Sequence, residues 1–288
     1  MKIAVVGLGL IGGSMAKAIQ SHTDDLVYGT DKMPDIVQQA METKVIDGAL
    51  TDETLAACSV VILALYPADT VEWVRENAVK IPKGALVVDC GGVKKYVCDQ
   101  VQPLAKANGF FFLGGHPMAG IERSGFAFSK DTLFQNASMI LTPMPDTDEQ
   151  LLERARRFFC GIGFAGVTLR TPEEHDRIIA YTSQLAHVLS NAYIKSPTAP
   201  YHAGLSAGSF RDMTRVATLN PAMWTELFFE NRDNLITEID ALAERLLEYS
   251  RALKENDAEG LHRLLEDGVM MKALCDRNDK TQKETANR

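Results

Sequence analysis

In the stretch GGHPMAGIERSG, residues 114–125, His116 follows a glycine pair and the apolar run FFFL and precedes Pro117, with Glu122 and Arg123 further on. A neutral imidazole is the side chain best matched to accepting a proton near pH 7. A hydroxyl on a carbon that gives up hydride must release or share its proton, so His116 is the candidate catalytic residue of such an oxidation. A turn histidine satisfied by backbone is the competing reading. His22, His175, His202 and His262 read as solvent-exposed.

The hydride acceptor is indicated at the amino terminus. VVGLGLIGGS places Gly7, Gly9 and Gly12 in G-x-G-x-x-G spacing after an expected strand and at the opening of an expected helix. The first glycine permits a tight turn, the second lets a pyrophosphate approach the backbone, and the third brings helix and strand together. Leu8, Leu10 and Ile11 complete the loop, whose helix start offers free N–H groups to phosphate. Asp31 follows the second strand at the spacing of a ribose-binding acid, which favours NAD over NADP, although the neighbouring Lys32 could reach a 2′-phosphate. Leu65, Pro67 and Asp69, at the end of the run starting at Val60, either contact the cofactor or simply start a helix with Pro67 and Asp69 in its first turn.

These residues need a scaffold that brings strand ends together. Short apolar runs at 3–6, 26–30, 60–65, 86–89, 110–113, 138–142 and 165–169 alternate with amphipathic stretches, as in a parallel sheet covered on both faces. His116 then falls at the carboxyl end of a strand, where such sheets bind ligands. The expected fold class is α/β, a Rossmann-type doubly wound sheet in residues 1–170, followed by an all-helical second domain in 171–288 for substrate binding and dimerisation.

The helical half opens with Thr171 as N-cap, Pro172 at the first helical position and Glu174 three residues after the cap. Helices are expected at 173–195, 208–218, 221–254 and 257–276, with a loop at 195–209 and a frayed polar tail. At 100° per residue, Asp176, Ser183 and His187 fall near one line of the first helix, the lining of a cavity or a solvated face. Arg211 and Arg215 share a side of the second, with Asp212 within reach of Arg215. An arginine fork binds a carboxylate in two places, which makes Arg215 a candidate anion-binding residue, with a surface pair to Asp212 as the alternative. Leu235, Ile239, Leu242, Leu246, Tyr249 and Leu253 form an apolar stripe that packs either within the chain or on a second copy.

Taken in order, GLGLIGGS, DCGGVK, HPMAGIERSG, EEHDRIIAYTSQLAHVL and GSFRDMTRVATLNPAMW resemble the prephenate/arogenate dehydrogenases of tyrosine biosynthesis over nearly the whole chain. The resemblance implies NAD-dependent oxidative decarboxylation of prephenate, with arogenate or dual cyclohexadienyl specificity as the alternative. His116 matches the histidine that bonds the 4-hydroxyl, Arg215 the substrate-binding arginine, His187 a histidine reaching the side-chain carboxylate, and Glu122 an acid near the pocket mouth. The chain departs from the pattern at Gly92, where relatives carry a serine whose hydroxyl assists the histidine. Its backbone N–H remains, Lys94 is retained, and Ser124 or water is the candidate substitute.

Composition narrows the partners. Lys and Arg total 30 against 38 Asp and Glu, a formal charge of −8 without a basic run, which argues against nucleic acid or an anionic membrane as partner. Five cysteines without a C-x-x-C pair signal neither a disulfide framework nor a metal site and fit a reducing cytoplasm. The glycines interrupting the first apolar run argue against a signal peptide. A small-molecule substrate and a homodimer built by the helical domain are the expected partners. The rivals are a β-hydroxyacid dehydrogenase, which generally relies on a lysine in the helical domain, and an NAD-binding sensor without chemistry.

Overall fold

The computed structural model describes residues 1–286, with side chains through 278. Strands and helices alternate: β1 (Lys2–Val6), α1 (Leu10–His22), β2 (Leu26–Thr30), α2 (Pro34–Glu42), β3 (Gly48–Ala49), α3 (Asp52–Leu55), β4 (Val60–Leu63), α4 (Pro67–Asn77), β5 (Leu86–Asp89), α5 (Lys95–Asn108), β6 (Phe111–Pro117), β7 (Ser138–Thr142), α6 (Glu149–Gly161) and β8 (Gly166–Leu169). The strands form one eight-stranded sheet in the order β3-β2-β1-β4-β5-β6-β7-β8. The sequence is the reason: runs such as VVIL in β4 and LVVD in β5 are buried at every position, because helices cover both faces. Two apolar cores result, one holding Ile3, Val5, Met15 and Ile62, the other Ala4, Val61, Val87 and Val97. β1 and β4 each contribute alternate residues to both.

The Rossmann-type doubly wound architecture therefore matches the expectation, with two differences. The two-residue strand β3 carries too little pattern to be read from sequence. The sheet is also not wholly parallel: β6 runs past Leu113 and pairs antiparallel with β7, Gly114 opposite Thr142 and His116 opposite Ile140.

The helical part follows as α7 (Pro172–Ile179), α8 (Ala186–Tyr193), α9 (Gly208–Thr214), α10 (Pro221–Glu230), α11 (Arg232–Lys254) and α12 (Ala258–Ala286). α7 starts as expected, with Thr171 and Glu174 satisfying each other's backbone N–H groups. Three expectations are corrected. The helix expected over 173–195 is interrupted by a π-helical segment, Ala180–Leu185. The helix expected over 221–254 breaks at Asn231, a buried residue whose side chain donates to the Asp176 carbonyl at 2.8 Å and to Gln184 at 2.8 Å. Burying that amide requires its hydrogen bonds, and the bent backbone supplies the geometry. The tail expected to fray is helical to Ala286; positions 287 and 288 lie outside the described residues.

By compactness the chain divides into two units, Met1–Leu235 and Ile236 onward. The first contains the sheet and the helices through α10. The second, consisting of most of α11 together with α12, exposes Leu246, Leu247, Leu253, Leu265, Val269 and Met270.

Candidate active site

The glycine loop lies between β1 and α1. Gly7 has φ +85°, and a Cβ there would meet the Ala64 carbonyl oxygen at 2.6 Å, so only glycine fits. A Cβ on Gly9 would meet nothing within 4 Å, so the loop is open on that side. Helix α1 starts at Leu10 without a side-chain cap and without an acid in its first turn. Its leading N–H groups are thus free for an anion, the donor set that a diphosphate requires. Asp31 accepts N–H bonds from Leu8 at 2.8 Å and Met33 at 2.9 Å, which holds its carboxylate at the loop. These residues fit a dinucleotide. Leu8 contributes through its backbone, because its side chain is wholly buried in the core.

At the next strand end the bland reading of Pro67 and Asp69 describes the geometry. Pro67 is buried at the first position of α4 and Asp69 is an exposed first-turn acid. Glu226 of α10 accepts the Ala68 N–H at 2.7 Å, placing a carboxylate at that positive helix end. Leu65 is half-buried beneath Gly7.

His116 belongs to β6 itself, which runs on to Pro117, beyond the strand expected at 110–113. The preceding glycines are needed for room: a Cβ on Gly115 would meet Met139 at 2.6 Å and Val88 at 2.7 Å, and one on Gly114 would meet Cys98 at 2.7 Å. The strand is clamped from β5. Asp89 accepts the N–H of Gly115 at 3.0 Å and of Gly91 at 2.9 Å, while Lys94 donates to Asp89 and to the Gly115 carbonyl at 2.5 Å. Both side chains of the pair are completely buried.

His175, expected to be exposed, is 1% exposed and faces His116. His116 Nδ1 lies 2.9 Å from His175 Nε2, and His175 Nδ1 lies 2.7 Å from Asp176 Oδ1. Asp176 also accepts the N–H groups of Lys94 at 2.7 Å and Lys95 at 2.9 Å at the start of α5. It therefore does not line a cavity beside Ser183 and His187. The π-helical segment between them breaks the 100° count on which that expectation rested. Burial holds the His116 pKa well below the usual imidazole value, helped by His175 and the Lys94 ammonium. The His175 pKa is also lowered, mainly by burial, against the raising effect of its bond to Asp176.

A second group forms around Arg215. It pairs with Glu122, not with Asp212, because α9 gives way to a tighter 3-10 turn at Arg215–Ala217 that changes the side-chain spacing. Glu122 is held below the ordinary carboxylate range by a hydrogen bond from its own backbone and by Arg215. His187 Nδ1 donates to the Ser183 carbonyl at 2.9 Å, and its ring stacks on Trp224 with ring centroids 3.8 Å apart. Since a carbonyl only accepts, Nδ1 carries the proton and Nε2 faces elsewhere as acceptor. Burial lowers the His187 pKa, and Arg215 adds to the effect while Glu122 opposes it. Ser183 is half-buried, and Ser124 and Asp212 are exposed. Gly92 sits against α10, where a Cβ would meet the Leu227 methyls at 3.3 and 3.5 Å.

Sequence reasoning missed Asp89, His175, Trp224 and Leu227. The dipeptide His175-Asp176 near the start of a capped helix was a usable signal, since a carboxylate beside an imidazole can fix its proton. The contacts of Trp224 and Leu227 depend on tertiary packing that spacing does not encode.

Two family models match the chain: the prephenate dehydrogenase nucleotide-binding domain over residues 15–167 and the prephenate dehydrogenase dimerization domain over 171–267. The chain belongs to the prephenate dehydrogenase family. It is 32% identical to the prephenate dehydrogenase of Bacillus subtilis over 270 residues, 91% of this chain and 72% of the relative. It is 29% identical to the cyclohexadienyl dehydrogenase of Zymomonas mobilis, covering 90% of each. In structure it resembles the prephenate dehydrogenase of Aquifex aeolicus solved with hydroxyphenyl propionate and NAD+, with a TM-score of 0.81 at 28% identity over 96% of this chain and 98% of that one.

Proposed function

We propose that this chain catalyses the NAD-dependent oxidative decarboxylation of prephenate to 4-hydroxyphenylpyruvate in tyrosine biosynthesis. The observation that carries the reading is the position of His116 at the carboxyl end of a sheet whose first loop fits a dinucleotide, in a member of this family. Gly7, Gly9 and Gly12, the leading amides of α1 and Asp31 would hold NAD, which when bound would supply the acceptor for the hydride of the ring carbon that bears the hydroxyl. His116 accepts the hydrogen bond of that hydroxyl and so polarises it as the hydride leaves; the carboxylate departs as carbon dioxide, its bonding pair passes into the ring, and the hydroxyl keeps its proton in the phenol product. Its lowered pKa keeps the ring neutral and able to accept at ordinary pH. Arg215 binds a substrate carboxylate with its fork, leaving Glu122 to do so. His187, stiffened by Trp224, reaches the side-chain carboxylate through Nε2. The Gly92 N–H stays available near the hydroxyl.

The second unit builds a homodimer, a second copy covering side chains such as Leu246, Leu247, Val269 and Met270 that a single chain leaves in water. The reading assigns the protein to the cytoplasm, in keeping with the free thiols of Cys58, Cys90, Cys98, Cys160 and Cys275. No described helix is long and apolar enough to cross a membrane.

The test is an assay of NADH and NADPH formation with prephenate and with arogenate, run on the wild type and His116→Asn. Prephenate-dependent NADH formation is expected, lower by about 10²–10⁴ in the variant with NAD binding retained. Binding of NAD without turnover of either acid would overturn the reading.

A further inference from the structure

The carboxylate of Asp176 touches three donors: the N–H of Lys94 and the N–H of Lys95, at 2.7 and 2.9 Å, and Nδ1 of His175 at 2.7 Å. An ionised carboxylate only accepts hydrogen bonds, so the third contact requires a proton on Nδ1 of His175. A neutral His175 then carries a lone pair on Nε2, and that atom lies 2.9 Å from Nδ1 of His116. For this contact to be a hydrogen bond, the proton between the rings must belong to His116 Nδ1. The single remaining lone pair of a neutral His116 is thereby assigned to Nε2.

We propose that His175 is a positioning residue for His116: oriented by Asp176, it holds the His116 ring as the Nδ1–H tautomer and reserves Nε2 as the acceptor. The chain of contacts is buried where it must be. His175 and Asp176 are 1% and 2% exposed, so water does not compete for either bond, while His116 is partly exposed and can be reached by a ligand. The frame is rigid as well. Thr171, Pro172 and Glu174 fix the first turn of α7, and the Asn231 side chain grips the Asp176 carbonyl at 2.8 Å. The ring planes of His116 and His175 meet at 64°, an edge arrangement that suits a nitrogen-to-nitrogen bond and not a stack. Both rings stay neutral because burial disfavours their charged forms; the Lys94 ammonium opposes protonation of each, and His175 adds to the effect at His116. His175 does for His116 what a buried acceptor does for any acid–base imidazole, selecting one of two tautomers that are otherwise close in energy.

What His116 Nε2 acts on rests on the proposed dehydrogenase function; the tautomer does not. The experiment is therefore double. Full-length protein labelled with 15N-histidine and bound to NAD is studied by long-range proton–nitrogen correlation, with His116 and His175 assigned from His116→Asn and His175→Gln. The expected result is His116 as the Nδ1–H tautomer. That tautomer persists in His175→Gln, whose amide oxygen can occupy the Nε2 position, and is lost in His175→Leu. In parallel, NADH formation from prephenate falls at least about tenfold in kcat for His175→Leu, a fraction of what a positioned acid–base group contributes, with KM for NAD unchanged and most of the loss restored in His175→Gln. A wild-type His116 protonated on Nε2, or a His175→Leu protein that folds with tautomer and kcat unchanged, overturns the proposal. If His175→Leu does not fold, the wild-type and glutamine spectra decide. Absence of turnover by the wild type would refute the function while leaving the spectra to test this inference.

Discussion

Lys94 and Asp89 form an ion pair in which neither side chain touches solvent, and the Lys94 ammonium also holds the carbonyl of Gly115, the residue before His116. Removing one partner strands the other charge in the interior. Lys94→Met is expected to cost about 3–5 kcal/mol in urea unfolding. Lys94→Met combined with Asp89→Leu should cost less, and a double variant no more stable than the single one would show that the pair is not what the lysine serves.

Gly92 stands where the family resemblance implies a serine, and its missing Cβ faces the methyl ends of Leu227 at 3.3 and 3.5 Å. Those ends can yield by rotation, so Gly92→Ser should fold. A restored hydroxyl bond of about 0.5–1.5 kcal/mol would raise kcat roughly 2- to 10-fold, while Gly92→Ala would not raise it. Equal rates for the serine and alanine variants would refute a role for the hydroxyl.

The Arg215–Glu122 pair is solvent-exposed, with Arg215 62% and Glu122 41% accessible. Such pairs add about 0–1 kcal/mol to stability, so Arg215→Ala should unfold close to the wild type. Its effect belongs in KM for prephenate, which should rise about 10-fold or more for the loss of a charged hydrogen bond. Unchanged KM would remove Arg215 from the substrate site.

His116, His175 and His187 all have pKa values below the usual imidazole value in the folded chain, burial being the largest cause in each. The unfolded chain therefore takes up protons at these rings at a higher pH than the folded one, and acid favours unfolding. Tm should be level above about pH 7 and decline as pH falls below ~6.5, the unfolded value. The decline should lessen in His175→Gln. A Tm that rises between pH 7 and 5 would show that these rings are protonated in the fold.

The sheet, the glycine loop and the capped start of α7 were legible because each is a local pattern: continuous Val and Ile, G-x-G-x-x-G, and T-P-E-E. His116 was legible as a candidate but not in its setting, since the antiparallel pairing of β6 with β7 is a long-range event that the sequence around Gly114 and Gly115 does not announce. His175 was misread as exposed because its burial comes from β6 and α5, not from its own helix. Asp176 and His187 were placed on one line by a count that assumes a uniform helix. Around Arg215 local spacing offers only Asp212, the alternative to anion binding, whereas the fold supplies Glu122, 93 positions away.

The π-helical segment at Ala180–Leu185 has a bearing on changes of chain length. In a regular helix, deleting one residue swings every later side chain by about 100°. A wide turn already holds one residue in surplus, so a deletion inside 180–185 closes it to an ordinary turn and leaves the later positions aimed as before. The same deletion at 188 or 189 enjoys no such reserve. The region between the Asp176 end of this helix and the His187 end thus tolerates losing a residue better than it tolerates being straightened with all its residues in place.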